Sequence, residues 1–316
     1  MKKNIFIFFS LMNSVLFSQE KFSKEFRILS NNDLYTSVVN DKYYSNGLFL
    51  SFKYLSDKKS EKLQKKILEW EVGHEMYTPW NAITRNINQH DRPFASYLYG
   101  SFSYNFVYKN HQNLKTTLQV GLIGENAFGR ELQNFVHDIY GFREAVGWDF
   151  QIKDAFAINL NANYVKHLGM DSSKTFDFNV IGNGRIGTVY TDASVGFLSR
   201  IGFSKLTDIA NSIAFGTNIN NDKTDFSREV ETFIFVKPLL HTVLYDATLQ
   251  GSFLNTGSPV TKDPNTLRFE IEVGFQFTAN RFNFGYVFNY QTNKTNNLRF
   301  NNGNKFGRIL ITYLFR

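Results

Sequence analysis

Apolar and polar residues alternate along the segment from Leu267 to Thr278, which reads LRFEIEVGFQFT. Successive side chains of a strand point to opposite faces, so this order places the apolar side chains on one face and most polar ones on the other. The pattern returns after a short turn in the segment Phe282 to Tyr290, and again in Phe156 to Tyr164. A period of two over such lengths predicts half-buried β-strands and argues against helices.

Similar segments recur along most of the chain and end on an aromatic-rich strand, Phe306 to Phe315. Transmembrane β-barrels of a single chain have an even number of strands, so we predict twelve from about a dozen to thirteen candidates. The other candidate strands lie near residues 24–32, 43–55, 67–77, 94–108, 115–124, 176–190, 194–204, 228–237 and 240–254.

The composition narrows the class of protein. The absence of cysteine excludes disulfide frameworks, thiolate zinc sites and a cysteine nucleophile. A mean hydropathy of −0.30 excludes a bundle of membrane-spanning helices, and 34 Phe with 16 Tyr argue against disorder. A soluble sandwich or a lipocalin-like barrel is the alternative, with its apolar face inside. In this sequence the strand faces that are rich in aromatic rings lie opposite faces that are dense in Asn, Arg, Glu and Gly. This arrangement favours an all-β transmembrane antiparallel barrel with lipid outside and a polar lumen.

The amino end predicts export. Lys2 and Lys3 precede an apolar run from Ile5 to Phe17, and Ser18 follows as a small residue. This order is typical of a secretory signal peptide, and the run is too short to cross a bilayer comfortably. An amphipathic first helix is the alternative. We therefore predict a signal peptide over residues 1–18 and an outer-membrane barrel over residues 19–316.

One segment, Phe128 to Phe142, shows no alternation and reads FGRELQNFVHDIYGF. Gly129 precedes and Gly141 follows a helix of about three turns that the spacing predicts. Gln133 and His137 are four residues apart, so both lie on one face of that helix. A histidine beside an amide, on a helix held at a barrel mouth, is a candidate catalytic residue. Apolar residues at helical spacing in the segment are Leu132, Phe135, Val136 and Ile139.

A second polar cluster lies near the amino end of the barrel. Asn31, Asn32 and Asp33 close the first strand, and the segment Tyr43 to Gly47 opens the second. A carboxylate with neighbouring amide oxygens suits a hard cation such as Ca²⁺. An ordinary turn is the alternative interpretation of Asn-Asn-Asp.

Three further features are interpreted as structural. Trp148, after the helix, is predicted to anchor the membrane interface, as tryptophan does at membrane boundaries. The lysine-rich stretch Asp57 to Lys66 is interpreted as a solvated connection. The segment Asn218 to Arg228 is interpreted as a polar turn.

An ordered set of short blocks resembles the lipid A 3′-O-deacylase family of outer-membrane β-barrels. The blocks run in the same order from about Asn31 to Asp154, and the rest of the chain matches only as generic barrel strands. The helix block, with its Gln-Asn-x-x-His core, is the most specific of them. The blocks read NNDLY, DKYYSNGLFLSF, EMYTPWN, HDRPFASYLYGS, VGLIGENAFGRELQNFVHDIYG and GWDFQIKD.

The resemblance implies a 12-stranded barrel with its active site between the wall and the helix, at the outer-leaflet end. It implies calcium-dependent hydrolysis of the ester that holds the 3′-linked acyloxyacyl chain of lipid A. Asn32 and Asp33 match the family's Asn-Asp pair, Ser45 its hydroxyl residue, and Gln133 and His137 its helix pair. His137 is then expected to act as general base, and Ca²⁺ on Asp33 and Asn32 as Lewis acid. Asn32, Ser45 and Gln133 are expected to orient water, substrate or the histidine; Ser45 as nucleophile stays open.

The chain departs from the family pattern at positions expected to contact substrate. Some members carry an acid six residues after the helix histidine, where this chain has Arg143 followed by Glu144. An aromatic residue expected two positions further on is Ala145. A basic pair that contacts substrate phosphates is represented only by Arg85.

Two other functions are weighed against the deacylase. One is a non-catalytic barrel, either a pore or a structural protein, and the other is an esterase of the phospholipase A type. The expected partners are lipopolysaccharide and the outer membrane of a Gram-negative cell, and the protein is expected to be a monomer. A formal charge of +7 spread along the chain does not indicate nucleic-acid binding.

Overall fold

The chain forms one closed antiparallel β-barrel, as a computed structural model describes it for residues 21–36, 43–57, 60–224 and 230–316. The predicted signal peptide, residues 1–18, lies outside these described residues. The strands are β1 (Lys24–Asn32), β2 (Tyr43–Leu55), β3 (Leu63–Thr78), β4 (Ala95–Tyr108), β5 (Gln112–Ile123), β6 (Ala155–Met170), β7 (Phe176–Gly187), β8 (Tyr190–Gly202), β9 (Thr232–Asp246), β10 (Leu267–Ala279), β11 (Phe282–Gln291) and β12 (Asn304–Phe315).

Each strand pairs with its neighbours in the chain, and β1 pairs with β12, from Lys24 opposite Phe315 to Asn32 opposite Gly307. The predicted fold class and the number of twelve strands are therefore confirmed. Two α-helices interrupt the strand order, α1 (Gly129–Tyr140) and the single turn α2 (Ala247–Gln250). Within the described ranges, neither helix has the length and apolar content that crossing a membrane requires.

The prediction of separate strands at 228–237 and 240–254 is wrong, because one strand, β9, runs through both. Pro238 lies in the middle of it, opposite Ile271 of β10. On the β8 side the ladder stops between the pairs Gly196–Leu239 and Ser199–Val236, which flank the proline. Proline has no N–H to donate, so it interrupts the ladder on one side without ending the strand.

The two faces of the barrel wall differ as the alternation predicts. Along β10 the outward side chains include the exposed Phe269 and Phe275, and the inward ones include the buried Arg268 and Glu272. An outward belt of exposed rings and aliphatic side chains fits contact with hydrocarbon. The lumen is therefore the polar side of the wall.

Charges inside the lumen are arranged as ion pairs. Arg27 of β1 contacts both Glu69 and Glu71 of β3, at 2.8 and 3.0 Å. Glu272 is held between Lys237 and Arg308. Buried charges are costly in free energy unless they are paired and hydrogen-bonded. These pairs therefore allow charged side chains to be buried in a narrow lumen. A polar cavity of about 590 Å³ remains in the lumen, lined by Glu75, Arg268, Lys294 and others.

The connection from β8 to β9 fills the end of the lumen where β1 begins and β12 ends. Residues 203–224 of this connection are called the plug below. The Nζ of Lys65 donates to the carbonyl oxygens of Ala210 and Thr217, at 2.5 and 3.0 Å. Lys65 therefore belongs to β3 and reaches the plug, whereas the sequence placed it in a solvated connection. In the segment predicted as a polar turn at 218–228, residues 218–224 belong to the plug, and residues 225–228 lie outside the described residues.

Apolar side chains of the plug pack against inward residues of several strands. Ala210 and Ile219 join a cluster with Ile67, Val107 and Leu314, on β3, β4 and β12. Leu206 and Ile209 join a second cluster on the opposite part of the wall. Near the end of β8, where the connection to β9 begins, Arg200 is fully buried between Asp177 and Glu231. Contacts on both sides of the lumen mean that the plug obstructs it.

We expect the purified barrel to show no steady channel conductance in planar bilayers, because the plug obstructs one end. Replacing residues 206–219 with a short Gly-Ser link is expected to produce single-channel steps. Heat-modifiable migration on gels checks that both proteins are folded barrels. Porin-like conductance of the unaltered protein would contradict the obstructed lumen and support the pore interpretation.

Candidate functional site

The candidate site lies on the outer surface of the wall, at the end of the barrel opposite the plug. Along β3 the outward side chains Trp70 and Val72 are 55% and 56% exposed. The next outward side chains on the same strand, His74, Met76 and Thr78, are buried. The residue Ala127 before α1 contacts His74, the chain that leaves α1 packs on Met76, and Ser45 contacts Thr78.

Helix α1 is held directly on strands β3 and β4. The Nε2 of His74 lies 2.8 Å from the carbonyl oxygen of Ala127, just before the helix. Gly129, the first residue of α1, sits on Ser96 and Trp148. A Cβ at this position would lie 2.4 Å from the Trp148 ring and 2.6 Å from the Ser96 Cβ. Only glycine allows so close an approach, which fixes the start of the helix against the wall.

The chain that returns from α1 is anchored by Trp148, which is 1% exposed. The prediction that Trp148 anchors a membrane interface is therefore wrong. Its ring packs 4.9 Å from the Phe94 ring, centroid to centroid. The apolar cluster beneath the return segment consists of Met76, Ala82, Phe94, Ala145 and Trp148.

Trp148 also orients Gln133, which is 2% exposed and faces the wall. The indole Nε1–H donates to the Oε1 of Gln133 at 2.6 Å. An indole can only donate, so this bond identifies which end of the amide is oxygen. The amide nitrogen of Gln133, a donor, is thereby directed away from Trp148.

His137 follows one turn later on the same face of α1, and it is also buried. Its Nδ1 lies 2.6 Å from the backbone carbonyl oxygen of Arg143. A carbonyl oxygen only accepts, so Nδ1 carries the proton and Nε2 of the neutral ring carries the lone pair. The contact uses the main chain of Arg143, so the departure from the family's acid at this position leaves it intact.

A tight helix end brings Arg143 back to the histidine. Gly141 adopts a φ of 70°, and the N–H of Phe142 donates to the carbonyl oxygen of His137 at 2.8 Å. This is the left-handed glycine ending that helices commonly use. The Phe142 ring then stands edge-on to the imidazole, with centroids 5.6 Å apart.

Ser45 lies in a β-bulge of β2, between Tyr44 and Asn46, and is buried. Its Oγ is 2.5 Å from the Oγ1 of Thr78. Among the described residues, Thr78 is the only side-chain hydrogen-bond partner of Ser45. A serine nucleophile is normally hydrogen-bonded to its base, and Ser45 is bonded to another hydroxyl.

Asn32 and Asp33 lie where β1 ends. Asn31 faces the lumen, where its Oδ1 accepts from Arg308, so Asn32 faces outward. The Oδ1 of Asn32 accepts the N–H of Leu34 at 2.7 Å and caps a 3₁₀ turn that begins at Asp33. Asp33 is buried in that turn. The interpretation of this segment as a turn is correct, and a ligand role is compatible with it.

The structure connects three of the predicted site residues through contacts and through neighbouring positions on β3 and α1. Ser45 bonds Thr78, and two residues along the same face of β3 Met76 packs in the cluster of Trp148. Trp148 in turn bonds Gln133, and His137 follows on the helix. Asn32 lies one strand further along the wall, opposite Asn46 in the β1–β2 ladder.

The donors available to a metal ion are oxygens. Asp33 supplies one buried carboxylate, and Asn32 an amide oxygen that already accepts one hydrogen bond. In the part of the chain that the structure describes, no group of three or more His, Asp or Glu side chains is placed to hold a metal ion. Oxygen donors fit a hard cation such as Ca²⁺, which also accepts carbonyl and water oxygens.

His90 contributes to the packing of the loop beside the site. Its ring stands edge-on to Phe94 and Phe150, and its Nε2 is 3.2 Å from the Thr84 carbonyl oxygen. Burial lowers the pKa of His90 below its ordinary value, and the bond to Thr84 opposes this only in part. A lowered pKa favours the neutral ring in the folded protein. The stability that this loop gains is therefore present at neutral pH and is lost as the pH falls through the ordinary range of histidine.

Two residues of the site, Thr78 and Trp148, were not predicted as functional. Thr78 was recognisable only as part of the block EMYTPWN, and Trp148 as part of GWDFQIKD. Both contacts join residues distant in sequence, which spacing along a helix or a strand does not reveal.

The barrel is closed, its outer belt is apolar and its lumen is obstructed. These features define an integral membrane β-barrel, and its candidate site lies on the outer wall and not in the lumen. The family described as "Outer membrane protein LpxR" matches residues 5–315. The chain belongs to this family, which confirms the resemblance to outer-membrane lipid A deacylases and the outer-membrane location.

Comparison with solved structures also returned matches. LpxR from Salmonella typhimurium matches with a TM-score of 0.75 and 21% identity, over 92% of this chain and 100% of that chain. The β domain of the Bordetella autotransporter BrkA matches with a TM-score of 0.47 and 8% identity, over 94% and 99%. The NalP translocator domain from Neisseria meningitidis matches with 0.44 and 11%, over 98% and 95%. Comparison with curated protein sequences gave no match.

We expect Trp148→Phe to lower kcat by roughly 10- to 100-fold with little change in KM, because the Gln133 amide loses its fixed orientation. The phenyl ring keeps most of the packing, so the barrel should remain folded. The check is a double-mutant cycle, in which Trp148→Phe has no further effect in a Gln133→Ala background. Additive losses would mean that Trp148 acts through packing alone.

Proposed function

We propose that this protein hydrolyses the ester that links the 3′-acyloxyacyl chain to lipid A, with His137 as general base. Family membership supports lipid A as the substrate class. The observation that carries the chemistry is the bond between His137 Nδ1 and the Arg143 carbonyl oxygen, since it places the lone pair of the neutral ring on Nε2. The 3′ position rests on the resemblance.

In the proposed reaction, Nε2 of His137 takes a proton from a water molecule as the water oxygen attacks the ester carbonyl carbon. The tetrahedral intermediate collapses, and the bond from carbon to the sugar oxygen breaks. The protonated histidine returns its proton to the departing sugar oxygen. The products are a carboxylic acid and a free hydroxyl on the sugar, and the histidine regains its starting state.

Gln133 is suited to stabilise the oxyanion that forms during the attack. Its amide nitrogen is a donor, it is one turn from His137, and its orientation is fixed by Trp148 before substrate binds. Donors that are oriented in advance stabilise developing negative charge more effectively than donors that must reorganise. A base and a donor on the same face of one helix can therefore act on one ester group: the base accepts the proton of the attacking water, and the donor stabilises the oxyanion.

Attack by water is favoured over an acyl-enzyme at Ser45. The Ser45 hydroxyl is bonded to Thr78 and, among the described residues, not to a histidine. We assign Ser45 and Asn32 to orienting water or substrate at the strand side of the site.

Calcium is proposed as the metal. Asp33, with Asn32, would hold it, and when bound it would supply Lewis-acid polarisation of the ester carbonyl. The proton transfers described above depend on the protein's own groups.

The alternative functions make different demands on the structure. A pore is disfavoured by the plug, whose contacts reach both sides of the lumen. An esterase acting on glycerophospholipid would use the same base and the same donor, so substrate competition separates it from the proposal. The signal peptide over residues 1–18 and the monomeric state stay predictions.

The test of the proposal is mass spectrometry of lipid A after incubation with detergent-purified protein. We expect the loss of one acyloxyacyl unit in the presence of Ca²⁺, and no loss with EDTA. His137→Ala should lower the rate by about 10²- to 10⁴-fold, the usual contribution of a general base. If a folded barrel leaves lipid A intact but cleaves phospholipid, then phospholipid and not lipid A is the substrate. Cleavage of neither lipid would favour a structural role.

A further prediction distinguishes the two roles of Ser45. Ser45→Ala is expected to lower the rate only about 10-fold, since it removes an orienting hydroxyl and leaves the base. Intact-protein mass spectrometry during turnover should reveal no acylated enzyme. A loss as large as that of His137→Ala, together with a trapped acyl adduct that Ser45→Ala abolishes, would identify Ser45 as the nucleophile.

A further inference from the structure

Helix α1 has three distinct sides. The side that faces the wall carries the buried Gln133 and His137. One flank is polar and carries Glu131, Asn134 and Asp138. The other flank is apolar and carries Leu132, Phe135, Val136 and Ile139.

Two of the four apolar residues on this flank are exposed, and the other two, Leu132 and Val136, are half-buried. Phe135 and Ile139 are 62% and 64% exposed, and Phe128 and Phe142 at the two ends of the helix are exposed as well. An exposed apolar patch of this kind, bordered by polar residues, marks a contact with a membrane or another molecule. The question is therefore what covers it.

The position of α1 on the wall answers this question. His74, which bonds the entry of the helix, is two residues from Val72 on the same outward face of β3. Two residues of a strand span about 7 Å. In the chain, the helical segment follows β5 and precedes β6. Leu122 of β5 and Phe156 of β6 are exposed outward side chains close to where this segment leaves and rejoins the wall. The apolar flank thus continues the upper edge of the belt that contacts hydrocarbon.

We infer that α1 lies in the plane of the membrane interface, with its apolar flank in the acyl chains of the outer leaflet and its polar flank in the headgroup region. Helices with one apolar and one charged side take this position at membrane surfaces. The side with Gln133 and His137 then lies between the two regions, at the depth where acyl chains are esterified. The inferred position of α1 in the membrane depends on the exposure of its apolar flank and on the continuity of this flank with the apolar belt. The delivery of an ester to His137 rests on the proposed function.

The depth of the helix can be measured directly, because the chain has no cysteine and any introduced cysteine is unique. Phe135→Cys and Ile139→Cys are labelled with a nitroxide and compared with Glu131→Cys and Asp138→Cys on the polar flank. Val72→Cys, on the lipid-facing wall, is the matched control. The proteins are reconstituted in vesicles of phosphatidylcholine and phosphatidylglycerol, and collision rates with oxygen and with a water-soluble nickel chelate are recorded.

We expect labels at positions 135 and 139 to favour oxygen over the nickel chelate as the Val72→Cys label does, and labels at 131 and 138 to show the reverse. Equal access of the nickel chelate to all four helix positions would overturn the inference. Protection at 135 and 139 that disappears when the protein is diluted in the vesicles would also overturn it, because it would assign the flank to contact with a second copy.

A second measurement connects this position to turnover. The double variant Phe135→Asn and Ile139→Asn is expected to lower hydrolysis of lipid A in vesicles about 10-fold, and to leave hydrolysis of a short-chain ester dissolved as monomers unchanged. An equal loss on both substrates would mean that the flank supports the fold of the site and not its position in the membrane. The spin-label result does not depend on hydrolysis, so failure of the proposed function and failure of the membrane position are distinguishable.

Discussion

Hydrocarbon offers no hydrogen-bond partner to a polypeptide, so a chain that crosses it as strands must close its sheet on itself. Here β1 meets β12 along all nine of its residues. Closure fixes the period of two along every strand, because each residue then belongs to either the lipid side or the lumen side. The polar face has to be accommodated within a narrow interior, and the ion pairs around Glu69 and Glu272 do so.

A lumen filled in this way leaves little room for a macromolecular or lipid substrate. The plug obstructs one end, and ion pairs join side chains that project into the interior. The outer surface near the other end is where polar side chains can meet a lipid without leaving the membrane. The chain on either side of helix α1 creates that environment, because it contacts His74 and Met76, which would otherwise face lipid. The barrel thus serves as a rigid support for a site built between its wall and one helix.

Much of this could be predicted from the sequence, because alternation and helical spacing are local patterns. The strands and the single long helix follow from them, and the pair Gln133 and His137 follows from a spacing of four. Strand β9 was split in prediction because Pro238 breaks one ladder only, which depends on which neighbour needs its N–H. The plug could not be predicted, since Ala210 and Ile219 find their partners on three distant strands.

The chemistry of the site was predictable only in part for the same reason. That His137 is a candidate base follows from its neighbours on the helix. That its Nε2 carries the lone pair depends on the Arg143 carbonyl, which the turn at Gly141 brings back to the ring. Trp148 was assigned to the membrane boundary because tryptophan is common there, yet a buried partner for its N–H decided its place.

The placement of the site on the outside of the wall has a kinetic consequence. A lipid that never leaves its leaflet approaches such a site by lateral diffusion, in two dimensions, from the sector of membrane beside α1. The quantity that sets the rate of encounter is then the mole fraction of substrate in the leaflet, and the bulk concentration has no direct meaning. Both products of the proposed ester cleavage carry acyl chains, so they depart into the same sector and compete there with incoming substrate until they diffuse away.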